Sequence, residues 1–230
     1  MNREASLLPP FISPRNSARW PTGLLILTVA VAWVAAGIDL QDVWLLVKAL
    51  RGANIDADLR YAQFKATGWM LWIQGSLFVV TSIAFVGWLY QARVNVRALG
   101  MRRMRYGRGW CIWGFLMPAV NVFRPYQVVR EIWKASDPAS LDPFQWQSLQ
   151  TPWLVSLWWG AFLAAASLHL LALLTSLGTD VNLQQLVLSR SLTLFADVAL
   201  GLAAGVSIFL VTRLSKAQEN KWALQSNPPT

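Results

Sequence analysis

The chain has 230 residues, 55% of them apolar and 13% charged, with 14 Trp and a formal net charge of +9. The charged share is about half the ~25% usual in soluble domains, and the cations fall between apolar runs, so the positive excess reads as membrane topology and attraction to anionic headgroups, with no nucleic-acid partner. One Cys and one His exclude an intrachain disulfide, the usual zinc sites, a bis-His haem and a paired-His di-iron centre, so no cofactor or metal is expected.

In chain order, residues 1–21 are mostly polar and carry Arg3, Arg15 and Arg19 with Pro9, Pro10 and Pro14. They read as a cytoplasmic tail, too long for the n-region of a cleaved signal, so the first helix is expected to stay in place. A first span is predicted over residues 22–45. Its uninterrupted apolar part, Gly23 to Ile38, is short for a crossing that takes about 20 residues, and Asp39 and Asp42 follow it. The second span, 67–90, contains Gln74-Gly75-Ser76. The run from Trp110 to Phe123 has only 14 residues and holds Pro118 and Asn121. It is too short to cross, so it reads as a re-entrant or interfacial segment. Beyond it Tyr126, Val129 and Trp133 recur at i, i+3 and i+7 beside polar Arg130, Glu131 and Lys134, the pattern of an amphipathic helix on the membrane surface. The interfacial segment as a whole covers residues 110–135. The third and fourth spans are predicted over 153–174 and 191–214. Residues 215–230 are polar, end in Pro228-Pro229-Thr230, and are expected to be a disordered cytoplasmic tail. The fold class is all-α: a polytopic membrane protein with one four-helix membrane domain over residues 22–214.

Lys and Arg set the expected orientation. Both tails and the segment between spans two and three share one side of a four-span chain. They hold fifteen of the 20 cations, leaving Lys48, Arg51, Arg60, Lys65 and Arg190 opposite. Both termini are therefore expected in the cytoplasm of a bacterium, with the protein in its inner membrane.

Polar residues inside spans are the candidates for chemistry. An Asp at a helix centre costs about 2.5–3.5 kcal/mol on insertion scales, and such residues usually face the bundle interior and find a partner. His169 and Asp197 lie at similar depth on antiparallel spans and are expected to be in contact, with Asp39 at the same level. Such a cluster is either a clamp between helices or a proton or cation site. Trp110, Trp113, Pro118, Asn121, Arg124, Pro125, Tyr126 and Trp133 form the interfacial motif. Asn121 and Arg124 are suited to satisfy carbonyls freed by the two prolines, while Arg124 with Arg102, Arg103 and Arg105 is suited to a lipid phosphate. Gly201-Leu-Ala-Ala-Gly205 pairs with the small face of Gly160, Ala164 and Ser167 to bring spans three and four together. Ser76 lacks a nucleophile context, and Cys111 reads as a small apolar filler.

The run Trp88-Leu-Tyr-Gln-Ala-Arg-Val-Asn95, the Trp-rich run ending in Pro118-x-x-Asn121, the motif Arg124-Pro125-Tyr126 and the pair Trp158-Trp159 resemble a bacterial membrane family known as domain of unknown function 4328. The resemblance covers roughly Thr67 to the end, with Gly114 standing where relatives carry an aromatic. It implies a polytopic membrane protein and no assigned activity. The expected function is a non-enzymatic membrane component that binds lipid or a membrane-protein partner through the Trp/Arg/Pro element. The alternative is a small transporter or proton-coupled protein using Asp39, His169 and Asp197.

Overall fold

Where backbone N–H and C=O groups have no water to bond, an uninterrupted helix satisfies them within its own length. A computed structural model describes residues 9–177 and 182–226; the part of the N-terminal tail holding Arg3 and the final Pro228-Pro229-Thr230 lie outside the described residues. Its long apolar runs are four helices: α1 (Pro14–Leu50), α2 (Ala57–Ala98), α6 (Trp153–Ser176) and α7 (Leu183–Ser226). All four are long and apolar enough to cross a bilayer, and no strand occurs among the described residues. Between α2 and α6 lie three short helices, α3 (Trp110–Leu116), α4 (Pro118–Asn121) and α5 (Arg124–Ser136), and a 3-10 turn over Gln145–Ser148.

The helices overrun the predicted spans. At 1.5 Å per residue, the 44 residues of α7 extend about 66 Å, against a hydrocarbon core of about 30 Å. α1 and α2 stop at glycines. Gly100 (φ 74°) lets its own N–H reach Arg97 O at 3.0 Å and Met101 N–H reach Val96 O at 3.2 Å, the paired bonds that close a helix end through a left-handed residue. Gly52 (φ 82°) does the same, with Ala53 N–H on Lys48 O at 3.1 Å.

Two compact units divide the chain. Unit 1 comprises residues 1–23, 81–159 and 207–230; unit 2 comprises 24–80 and 160–206.

The core of unit 1 is Leu89, Val96, Val128, Val129, Ile132, Leu210, Val211 and Leu214, each fully buried. Here two expectations are corrected. The buried stripe of α5 is Pro125, Val128, Val129, Ile132 and Ala135, whereas Tyr126 and Trp133 are half-buried. The apolar face thus packs into protein, with spacing i, i+3, i+4, i+7 and i+10, and sits one position round from the face read for a surface helix. Second, the polar stretch from Gln218 is helical to Ser226, not disordered. Leu210, Leu214, Gln218 and Lys221 lie on one helix face and all are fully buried. The two polar heads on this face are satisfied by hydrogen bonds, which removes the cost that would otherwise keep them in water. Lys221 Nζ donates to Ala135 O at 2.9 Å and Asp137 O at 3.1 Å. Gln218 donates to Ala92 O at 2.8 Å and Ser136 Oγ at 3.0 Å.

In unit 2, a seam of small residues joins α1 and α7. Ala32, Ala35 and Ala36 are buried on α1, and Ala196, Ala203 and Ala204 on α7. A Cβ added to Gly201 would lie 3.5 Å from Ala32 Cβ and 3.5 Å from Trp33 Nε1. The GxxxG stretch therefore meets α1 through Gly201 and not α6 as its spacing suggested; Gly160 and Gly205 have open space where a Cβ would stand.

Candidate functional site

In unit 2, Asp197 is 1% exposed and Asp39 4%. α7 carries Asp197 on the face that holds the small residues, so both aspartates are brought inside with the seam. His169 of α6 reaches Asp197, with Nε2 3.3 Å from Oδ1. Gln74 of α2 donates to the same Oδ1 at 3.0 Å. Asp39 of α1 lines the same cavity as Asp197. His169 and Asp197 are in contact, Asp39 stands on the same wall, and all four long helices contribute to it.

The geometry constrains the protons. His169 Nδ1 lies 3.0 Å from Ala165 O, which only accepts, so a bond there requires an Nδ1–H. A neutral ring then presents a lone pair at Nε2. Both ring contacts are satisfied only if the His169–Asp197 pair carries one proton beyond neutral imidazole and carboxylate.

The cluster lines a cavity of about 610 Å³ whose other walls include Phe64, Leu71, Leu173 and Thr193. A smaller cavity of about 210 Å³ shares Phe64, Thr67, Leu186 and Arg190 with it. Arg190 Nε is ion-paired with Asp42 Oδ2 at 3.0 Å. Thr67 Oγ1 is buried and has no protein partner. The larger volume lies within the roughly 300–1,000 Å³ of pockets that hold small molecules. Gln74 and Arg190 were not singled out as site residues in the sequence. A Gln in mid-span was the available signal for the first. Nothing local marked the second, because its role depends on which helix faces Asp42.

Unit 1 places the interfacial motif differently from expectation. Pro118 and Pro125 occupy the first turns of α4 and α5, and Met117 before Pro118 is extended (ψ 112°), as the proline ring demands of its neighbour. Trp159 Nε1 donates to Val122 O at 2.8 Å, so a residue outside the motif supplies a donor to this turn. The Arg124 guanidinium donates to Gln127 Oε1 at 2.9 Å and Tyr106 Oη at 3.1 Å. It also lies over the Trp110 and Tyr106 rings at 5.1 and 5.4 Å. Asn121 Oδ1 is buried with no partner. Arg102, Arg103 and Arg105 are exposed, and Arg103 lies over the Phe144 ring at 5.0 Å. In the same unit Trp113, Leu116, Met117, Val122 and Phe123 are exposed apolar residues.

Four further side chains in unit 1 are structural. Glu131 accepts from the backbone N–H of Arg105 and, at 3.0 Å, of Tyr106. Burial raises its carboxyl pKa, and these two N–H groups partly offset the rise. Cys111 is fully buried, and desolvation pushes its thiol up to about 12. Asn95, 0% exposed, donates to Ile12 O at 2.8 Å and Gln218 Oε1 at 3.2 Å. Trp88 Nε1 donates to Ser215 Oγ at 3.1 Å. The most specific motif residues of α2 therefore serve to hold the N-terminal segment and α7 against it.

No curated protein and no solved structure matches the chain. The family model for a domain of unknown function, DUF4328, matches residues 51–216, the stretch that runs from the end of α1 through the Trp/Arg/Pro element to the middle of α7. With most of the chain inside that match, this four-span helical protein belongs to the DUF4328 family.

Proposed function

We propose that the protein is a non-enzymatic, proton-coupled carrier or cation-binding protein of a bacterial inner membrane, with both termini in the cytoplasm. The observation that carries this reading is Asp197, 1% exposed, held by His169 and Gln74 on the wall of a 610 Å³ cavity. A clamp between helices needs no cavity. Intramembrane carboxyls that face one usually mark an ion or proton path. Two adjacent carboxyls in apolar surroundings accept either a proton or a cation, since each relieves the repulsion of like charges. The cation bias of the tails and the segment between α2 and α6 supports the orientation.

The test uses liposomes that contain the full chain and an entrapped pH-sensitive dye, with an imposed potassium diffusion potential. Proton movement faster than in empty liposomes, lost in Asp197→Asn at unchanged helix content, supports the reading. Wild type indistinguishable from empty liposomes overturns it.

A second reading is favoured by exposed Trp113, Leu116, Met117, Val122 and Phe123 together with exposed Arg102, Arg103 and Arg105 in the same unit. In it, this element engages anionic lipid through guanidinium–phosphate contacts. Arg124 serves there as a brace, given its commitments to Tyr106 and Gln127. Quenching of Trp fluorescence by brominated anionic lipid should exceed that by brominated zwitterionic lipid, and replacing Arg102, Arg103 and Arg105 by Gln should erase the difference. Equal quenching in the wild type removes this reading.

A further inference from the structure

We infer that the larger cavity of unit 2 is a site for an amphipathic organic cation, one with a single positive centre on a bulky apolar body. The inference rests on the proposed cation-binding reading and names the ligand class.

Charge comes first. The ionisable groups on the cavity wall are Asp39, Asp197, His169 and Arg190. Arg190 is the permanent cation among them, and its guanidinium is already paired with Asp42 at 3.0 Å. His169 and Gln74 both contact one oxygen of Asp197, Oδ1. The wall therefore offers the Asp39 carboxyl and, once the proton it shares with His169 leaves, that of Asp197 as well. An anion would meet those carboxyls beside a guanidinium whose Nε is already held by Asp42.

Size and polarity come next. A bare metal ion requires several oxygen ligands at short range, and a volume of 610 Å³ far exceeds such a site. Most of the remaining wall is apolar: Ile38, Phe64, Leu71, Leu173 and Leu186. Few polar groups in a largely apolar pocket is the usual make-up of a small-molecule site, the polar groups fixing orientation and the apolar wall supplying affinity. Phe64 adds an aromatic face, which attracts a cation. Thr67 Oγ1, buried without a protein partner and common to both cavities, is a further polar atom available to a ligand.

The arrangement also suggests a route. Arg190 lines both cavities, and its partner Asp42 lines the smaller one. A cation entering from the smaller cavity meets Asp42 beside Arg190 and competes with that guanidinium for it.

The test compares two ions of the same shape and opposite charge, tetraphenylphosphonium and tetraphenylborate, by equilibrium dialysis against the purified full chain in detergent. Saturable binding of about one phosphonium per chain is expected, weakened at least tenfold in Asp197→Asn and in Asp39→Asn, with no saturable borate binding. If Asp197→Asn loses helix content, Asp39→Asn carries the comparison. Borate binding as tightly as phosphonium, or phosphonium binding that a folded Asp variant leaves unchanged, overturns the inference. Absence of phosphonium binding beside Asp197-dependent proton movement sinks the organic-cation site and leaves the cation-binding reading standing. Absence of both sinks the two together.

Discussion

His169 Nε2 stands 3.3 Å from Asp197 Oδ1, one on α6 and the other on α7, and Gln74 donates to the same oxygen from α2 at 3.0 Å. A single carboxyl oxygen thus collects two polar partners from two other helices within an apolar wall. Removing one partner leaves the rest buried and unmatched, which sets the first expected outcome. Gln74→Leu should destabilise unit 2 by about 1–3 kcal/mol, the cost of an orphaned buried polar group. Thermal unfolding of the detergent-solubilised chain measures it; an unchanged midpoint contradicts the contact.

Arg190 and Asp42 are coupled by a 3.0 Å bond between side chains 29% and 17% exposed. Partial exposure moderates the interaction, so a double-mutant cycle of Arg190→Gln and Asp42→Asn should give a coupling of about 1–2 kcal/mol, above the surface median and below that of a fully buried pair. Additive single effects would show that the two side chains do not interact in the folded protein.

Asn95→Ala should be the more damaging change. Its amide joins Ile12 and Gln218 to α2, and truncation strands the fully buried Gln218 Oε1 and takes the donor from Ile12 O. A loss of about 2–4 kcal/mol is expected. Proteolysis after residue 9 and before α1 should accelerate in the variant, since the N-terminal segment loses its anchor. Wild-type proteolysis rates would refute this role.

Glu131 makes the stability of unit 1 depend on pH. Its folded pKa is raised above the unfolded value of 4.5, chiefly by burial. Between those two values the folded state binds more protons than the unfolded one, so stability falls as pH rises through the window. The contribution is fully present below 4.5 and lost above the folded pKa. Unfolding midpoints across pH 4–8 should show this fall in the wild type and a flatter profile in Glu131→Gln. Glu131→Gln should also lose about 1 kcal/mol, because an amide offers one acceptor oxygen where the carboxylate accepts from both Arg105 and Tyr106 N–H.

Cys111 should resist alkylation. With its thiol pushed up to about 12 and no exposed surface, little thiolate exists at pH 8 and none is accessible. Iodoacetamide should label it only after denaturation; rapid labelling of the folded chain would contradict its burial.

Four long apolar runs, their polarity breaks and the clustering of cations were legible in the sequence because each is a local property. A helix that satisfies its own backbone needs no partner to be recognised, and a carboxyl inside a span marks itself by its cost. The contact of His169 with Asp197 followed from depth alone, since antiparallel crossings of one slab bring equal depths together. What depended on rotation about each helix axis was not legible. Gly201 meets α1 and not α6, α5 buries Val128 and Ile132 where Tyr126 and Trp133 were expected, and α7 continues past Lys221, whose ammonium donates hydrogen bonds to Ala135 O and Asp137 O. Hydropathy carries depth, but it carries no information about which carbonyls lie opposite a buried polar head or where four helices leave a gap. The cavity beside Asp197, and the pairing of Arg190 with Asp42 on its wall, were decided by tertiary packing alone.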